Sequence, residues 1–265
     1  MKKKKKKKTS KSKRKKKKKK ETSRIVGIIP ARYRSTRFPG KVLGDIHGKT
    51  MLQWVYERSK KSKKLDFLAI ATDDKRIKEE AEKFGAEVFM TSKKHKTGTE
   101  RVAAVVKNIN CDLVINIQAD EPLISFRALN KLCSSMLKDK SINVSTLASV
   151  VSFDDASVKN IDTAKIALDN NDFALYFSRL PIPTSMDNIP HPFLIHIGVY
   201  AFRKDFLLKL VDFKRSRLEK LEKLEQLRIL ENNYRIKVVK TKYPTISVDT
   251  PKDLEKVRKI FKSIK

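Results

Sequence analysis

IVGIIPARYRSTRFPGKVL, residues 25–43, begins with an apolar run, Ile25–Ile29, and then turns basic. A short apolar run closed by turn residues reads as a strand buried on both faces. Arg32, Arg34, Arg37 and Lys41 follow it, on a segment shaped by Pro30, Pro39 and Gly40. In an open α/β sheet, ligands bind beyond the carboxyl ends of the strands. Arginine suits multidentate phosphate contact, and lysine acts as a mobile point charge. The segment matches neither a Walker A loop nor GxGxxG. Arg32, Arg37 and Lys41 are therefore phosphate candidates on chemistry and place alone, while Arg34 reads as solvated.

Outward from that strand, apolar runs alternate with helical patterns. A helix is expected over Met51–Ser62, a strand over Phe67–Ala71, and a helix over Lys75–Phe84, capped by Asp73 or Asp74 and stopped by Gly85. Gly98-Thr99-Glu100 opens another helix, and Leu113–Ile117 is a further strand. This alternation predicts a three-layer α/β fold around a mostly parallel, doubly wound sheet. The second half changes character: strands at 143–151, 164–168 and 194–202 lack regular helical spacers, which predicts a mixed-sheet element for substrate or dimer contact. A helix over 216–232, strands at 236–240 and 245–248, and a last helix from Pro251 complete the pattern. Thr250, Pro251 and Asp253 supply that helix with its N-cap, first-turn proline and capping-box acid.

The 265 residues are 40% hydrophobic, enough for one sizeable core. Half of the net charge of +32 falls within residues 1–24, which hold fifteen lysines, two arginines and one glutamate. That block has nothing apolar after Met1, so residues 1–23 are expected to be a disordered tail and residues 24–265 a single domain. Such a tail could contact nucleic acid or an anionic surface. It is neither a secretory signal nor an amphipathic presequence, and no apolar stretch is long enough to span a membrane. Two cysteines, Cys111 and Cys133, lie far apart in sequence, which fits a reducing, cytoplasmic setting and excludes a disulfide framework. The four histidines lack metal-ligand spacing, so a metal would be a hard ion held by carboxylates.

Two carboxylate clusters complement the basic loop. Asp120 and Glu121, in NIQADEP (116–122), emerge where a buried strand ends; one of them could cap the helix starting near Ser125, and Glu121 is the more structural of the pair. Asp249, in SVDTP (247–251), again follows a short strand, and Thr250 leaves it free of the cap. Two aspartates facing three cations make a metal–triphosphate site more specific than any member alone. In LEKLEKLEQLRIL (218–230), Glu225 falls in line with Leu221 and Ile229 on the expected helix. Glu219 and Lys223 read there as a solvated pair. Glu225 and Gln226, with His196 and Tyr200 from HIGVY (196–200), could hydrogen-bond a polyhydroxylated substrate.

These blocks, together with ATDD (71–74), HKTGTERV (95–102), ALYFSR (174–179) and VDTPKDLEKV (248–257), closely resemble in order the CMP-KDO synthetases, or 3-deoxy-manno-octulosonate cytidylyltransferases. The resemblance runs from about Ile25 to Phe261 and leaves out the lysine tail. It implies a nucleotide-diphospho-sugar-transferase fold, a homodimer, and a Mg²⁺-dependent reaction of CTP with KDO giving CMP-KDO and pyrophosphate. By that resemblance Arg32, Arg37 and Lys41 grip the triphosphate and Asp120 and Asp249 hold Mg²⁺. Gln118, Arg179, His196, Tyr200, Glu225 and Gln226 form the sugar-acid pocket, with Arg179 toward the carboxylate. Ala31, Thr72 and Asp73 lie near the base, and Gln118 borders the nucleotide as well. Ala119 stands where the family usually has glycine, Thr184 where relatives often have an aromatic residue, and Lys220 in place of an expected histidine. The alternatives are a cytidylyltransferase for another sugar acid, or a polyanion-binding protein acting through its tail.

Overall fold

The computed structural model describes residues 23–264 except Thr36, Asn188 and Pro244, so the expectation of a disordered lysine tail lies outside the described residues. The first half runs β1 (Ile25–Ala31), a short hairpin β2 (Asp45–Ile46) and β3 (Lys49–Thr50), α1 (Met51–Lys60), β4 (Phe67–Thr72), α2 (Lys75–Lys83), β5 (Glu87–Met90), α3 (Gly98–Val106), β6 (Leu113–Asn116) and α4 (Phe126–Lys138). The second half adds β7 (Val144–Val151), α5 (Ala156–Lys159), β8 (Lys165–Leu168), β9 (Ala174–Ser178) and β10 (Phe193–Arg203). It ends with α6 (Lys204–Leu210), α7 (Arg217–Glu222), α8 (Leu227–Glu231), β11 (Ile236–Thr241) and α9 (Pro251–Ile264).

All seven residues of β1 are buried, as its apolar run requires. The sheet order is β11-β7-β10-β6-β1-β4-β5, with β8 and β9 attached beside β10. β1 pairs in parallel with both β4 and β6, and β4 with β5. β10 runs antiparallel to β6 and β7, which produces the mixed half expected from the missing helical spacers. One core layer joins the sheet to α1, α2 and α4 and another joins it to α3, α6 and α8, giving three layers. α9 closes a smaller cluster over Ile46, Met51 and Val248, where Trp54 and Phe261 lie 4.4 Å apart. Burying side chains of this size contributes about 1.5–3 kcal/mol each. Gly27 leaves the space that Leu65 and Leu68 fill: a Cβ there would stand 2.9 Å from Leu68 Cδ1.

The expected caps are present. Asp74 caps α2, Gly85 follows that helix with φ +74°, and Thr250 and Asp253 exchange capping-box hydrogen bonds. Ser125 caps α4, so neither Asp120 nor Glu121 does. Two expectations fail: residues 245–248 are not a strand, and the helix over 216–232 is two helices; β2, β3, β5, α5, β9 and α6 were not foreseen. The break falls at Lys223, a non-glycine residue in the left-handed region with φ 54°. In an unbroken helix Glu219 and Arg228 would stand roughly 13 Å apart along the axis. Folded back, Arg228 Nε donates to Glu219 Oε2 at 2.7 Å, with both side chains buried. Glu219 is therefore a buried ion-pair partner, not half of a solvated Glu–Lys pair. Removing one member of such a pair costs about 3–5 kcal/mol.

Candidate active site

The polypeptide reverses direction along the sheet between β6 and β1, and the basic loop and the NIQADEP turn leave the sheet at that point. Gly40, at φ +72°, donates its N–H to Tyr33 O at 2.8 Å and starts the short helical turn Lys41–Leu43. That turn aims Lys41 inward. Its Nζ donates to Asp120 Oδ2 at 2.6 Å, to Asp249 Oδ1 at 3.0 Å and to Val248 O at 2.9 Å. Arg37 reaches Asp249 Oδ2 at 3.1 Å and Asp162 Oδ1 at 2.8 Å. Arg37, Lys41, Asp120 and Asp249 line a crevice of about 410 Å³ with Arg32, Arg34 and Gln118. Arg34 is exposed as expected, yet it borders the same crevice as the other three cations.

The electrostatics follow from these contacts. Burial opposes the charge on Lys41, but Asp120 and then Asp249 outweigh it and hold the ammonium above its usual range. Asp249 does the same for Arg37. Burial and then the neighbouring Arg101 guanidinium lower Arg32. Glu121 faces the other way: it is buried, accepts from Thr245 Oγ1 at 2.5 Å, and is pushed up to about 8 by burial and by Asp120. Adjacent acids thus divide, Asp120 entering the crevice and Glu121 holding the chain behind it.

A second cavity, of about 360 Å³, adjoins the crevice and includes Thr99, His196, Tyr200, Glu225 and Gln226 in its lining. Gln118 lines both spaces. The register of β10 against β7 shifts between Ile197 and Tyr200, an irregularity of the kind that re-aims side chains beside a site. Thr146 Oγ1 fills the gap, 2.9 Å from Val199 O and 3.0 Å from His196 Nε2. Burial depresses His196 to about 3 and raises Tyr200 well above its usual range, so both stay neutral. Glu225 accepts from Thr99 Oγ1 at 3.1 Å, and its carboxyl is raised by burial against the opposing charge of Arg228. Gln226 is buried, and its Nε2 has no hydrogen-bond partner among the described residues. It is a donor awaiting an acceptor.

Glu225 and Gln226 reach this cavity by a route the sequence pattern did not foresee, since Glu225 sits in the break between α7 and α8 and not on a continuous helix face. Arg179 is not brought to the cavity. Its Nε donates to Glu222 O at 2.8 Å, Nη1 to Ile161 O at 2.9 Å and Nη2 to Lys223 O at 3.3 Å, so its fork is occupied by carbonyls. The cation that does border the cavity is Lys223, which the charge pattern marked only as half of a solvated pair. Ala31 and Thr72 are paired across β1 and β4 and are fully buried, and the Thr72 carbonyl accepts from Thr91, so neither residue presents a surface to a ligand here. Asp73 is held at 3.0 Å by Arg101, whose side chain is fully buried. That buried arginine was missed, although its place in HKTGTERV, one helical turn beyond Thr97, put it on the inner face of α3.

A family model described as cytidylyltransferase matches residues 26–238. The chain belongs to the cytidylyltransferase family. Within the family, it is 44% identical to a 3-deoxy-manno-octulosonate cytidylyltransferase of Fusobacterium nucleatum over 235 residues, 88% of this chain and 95% of that one. It is also 44% identical to the protein of the same name from Solibacter usitatus over 241 residues, 91% and 95% of the two chains. A solved CMP:2-keto-3-deoxy-manno-octonic acid synthetase in complex with CTP superposes with a TM-score of 0.87 at 38% identity, covering 92% of this chain and all of that one. This cytidylyltransferase thus groups with the CMP-KDO synthetases, and its fold is theirs.

Proposed function

We propose that the protein transfers CMP from CTP to the anomeric hydroxyl of KDO, releasing pyrophosphate and giving CMP-KDO for lipopolysaccharide synthesis. The observation that carries this reading is the meeting of two unlike spaces at Gln118: a charged crevice suited to a triphosphate and a buried polar cavity suited to a sugar acid. The similarity to named enzymes of this activity over nearly the whole chain agrees with it.

In the proposed reaction the anomeric hydroxyl oxygen attacks the α-phosphorus of CTP, the bond from that phosphorus to the α,β-bridging oxygen breaks in line, pyrophosphate leaves, and the hydroxyl proton is released to solvent. Arg32, Arg37 and Lys41 grip the triphosphate and neutralise the charge that builds on the leaving pyrophosphate. Gln118, His196, Tyr200, Glu225 and Gln226 orient the sugar acid, so that the acceptor oxygen is held in place before attack. His196, depressed to about 3, serves as a hydrogen-bond partner and not as a proton acceptor at neutral pH.

Asp120 and Asp249 would hold Mg²⁺. Both are hard carboxylate donors, and both contact the same cation, the Lys41 ammonium, at 2.6 and 3.0 Å. A pair of carboxylates is the usual protein contribution to a Mg²⁺ site beside phosphates. When bound, the ion supplies charge neutralisation at the phosphate oxygens. We further infer that residues 24–265 act as one domain, in the cytoplasm, and as a homodimer. Support for the dimer comes from the large apolar side chains left exposed along β7, β9 and the connection to β10: Val150, Phe153, Leu175, Leu180, Met186 and Ile189. Free, buried Cys111 and Cys133 agree with a reducing compartment.

A pyrophosphate-release assay tests the reading. Product is expected only when CTP, KDO and a divalent cation are all present, with KDO preferred over sialic acid and amino-sugar analogues by kcat/KM. Turnover with another sugar acid but not with KDO would reassign the acceptor, and no CTP-dependent turnover from folded protein would end the proposal.

A further inference from the structure

Between α1, the start of α4 and α9 lies a cavity of about 500 Å³ that shares no lining residue with the crevice or the sugar cavity. Its size falls within the ~300–1,000 Å³ of small-molecule pockets. The floor is apolar, formed by Leu123, Phe126, Tyr243, Ile246 and Ile260. Three cations, Arg58, Lys61 and Arg127, complete the lining together with Ser125, and no carboxylate takes part. None of the three takes part in an ion pair among the described residues.

Arg58 is the informative member. It is half-buried, and its guanidinium donates to Ile124 O at 2.9 Å and Leu123 O at 3.1 Å. Burial lowers its proton affinity, and no acid counters that effect. A partly desolvated charge without a counterion is costly, and an anion placed beside it removes part of that cost. Lys61 and Arg127 are exposed and reinforce the positive field at the mouth. An inorganic anion would satisfy the cations but leave the aromatic and aliphatic floor wet. A purely apolar molecule would do the reverse.

We propose that this cavity is a binding site for a small amphipathic anion, an aromatic or aliphatic body carrying one carboxylate or phosphate. The anionic group lies at Arg58, Lys61 and Arg127, and the body covers Phe126, Tyr243 and Ile260.

Calorimetric titration of the full chain with 1-naphthyl phosphate, with CTP present at saturation and no sugar acid, tests this. One saturable site is expected, with inorganic phosphate and 1-naphthol each bound at least about tenfold more weakly, a difference of roughly 1.4 kcal/mol. Arg127→Glu and Lys61→Glu, both at exposed positions, should each weaken binding by about tenfold or more while leaving pyrophosphate release unchanged. Ile260→Trp, which fills the floor, should abolish binding of the naphthyl compound. Absence of binding to the wild type, or wild-type affinity in both charge-reversal variants, would overturn the proposal. A variant that loses its circular dichroism signal is replaced by Arg127→Gln, for which a smaller loss in the same direction is expected.

Discussion

The crevice and the sugar cavity share Gln118 but are built on opposite principles. In the crevice, formal charges sit on loops beyond the strand ends and pair with one another: Lys41 with Asp120 and Asp249, Arg37 with Asp249 and Asp162. They remain partly exposed, and Arg37 keeps half of its side-chain surface in solvent. In the cavity, burial strips charge away, leaving His196 and Tyr200 neutral and Gln226 with an unmet donor. The first arrangement exchanges ionic partners readily. The second reads shape and hydrogen-bond direction, because an unmet polar group in a buried place penalises the wrong ligand.

The contrast can be broken at four points. Asp120→Asn should lower kcat by roughly 10²–10³ with an unchanged fold and an unchanged KM for KDO, as loss of charge stabilisation in a transition state does. Wild-type turnover would remove Asp120 from the chemistry. On the cavity side, a histidine depressed to about 3 binds fewer protons folded than unfolded between that value and its ordinary one near 6.5. Stability should therefore be full above pH 6.5 and fall as pH drops through that window, by on the order of a few kcal/mol. Urea titrations at several pH values check this, and His196→Gln should flatten the dependence. Glu225→Ala should raise the KM for KDO by roughly 10- to 100-fold while sparing that for CTP, the cost of losing a buried charge-assisted contact. An equal rise for both substrates would erase the division between the two spaces. Arg37→Ala should raise the KM for CTP only about two- to fivefold, with the effect shrinking at high salt, as for an exposed ion pair.

The same contrast explains what the amino-acid sequence revealed. β1, β4 and β6 are apolar runs whose burial follows from composition, and Arg32 and Asp120, charged residues just beyond β1 and β6, line the crevice. Arg32 and Asp120 were legible for that reason and Arg37 and Lys41 as the continuation of the same loop, whereas Asp249 reaches the crevice from a segment that is not the expected strand. Glu121 was legible as the structural neighbour, though its partner, Thr245, was not. The cavity depended on a backbone event with no local signal: Lys223 adopts a left-handed conformation without glycine or proline, because a contact between Glu219 and Arg228 favours folding back over continuing the helix. Periodicity reports only neighbours three or four residues apart. Arg179 stands apart from the cavity for a related cause, since carbonyls exposed by that break, at Glu222 and Lys223, accept from its guanidinium.

Lys41, Arg37, Asp120 and Asp249 together carry two positive and two negative charges, held by direct contacts. A chain that provides its own counterions need not be assembled around a borrowed one. The crevice can thus form on the ribosome or in a chelator with its carboxylates already aligned, and the arrival of substrate becomes an ion exchange on a finished surface.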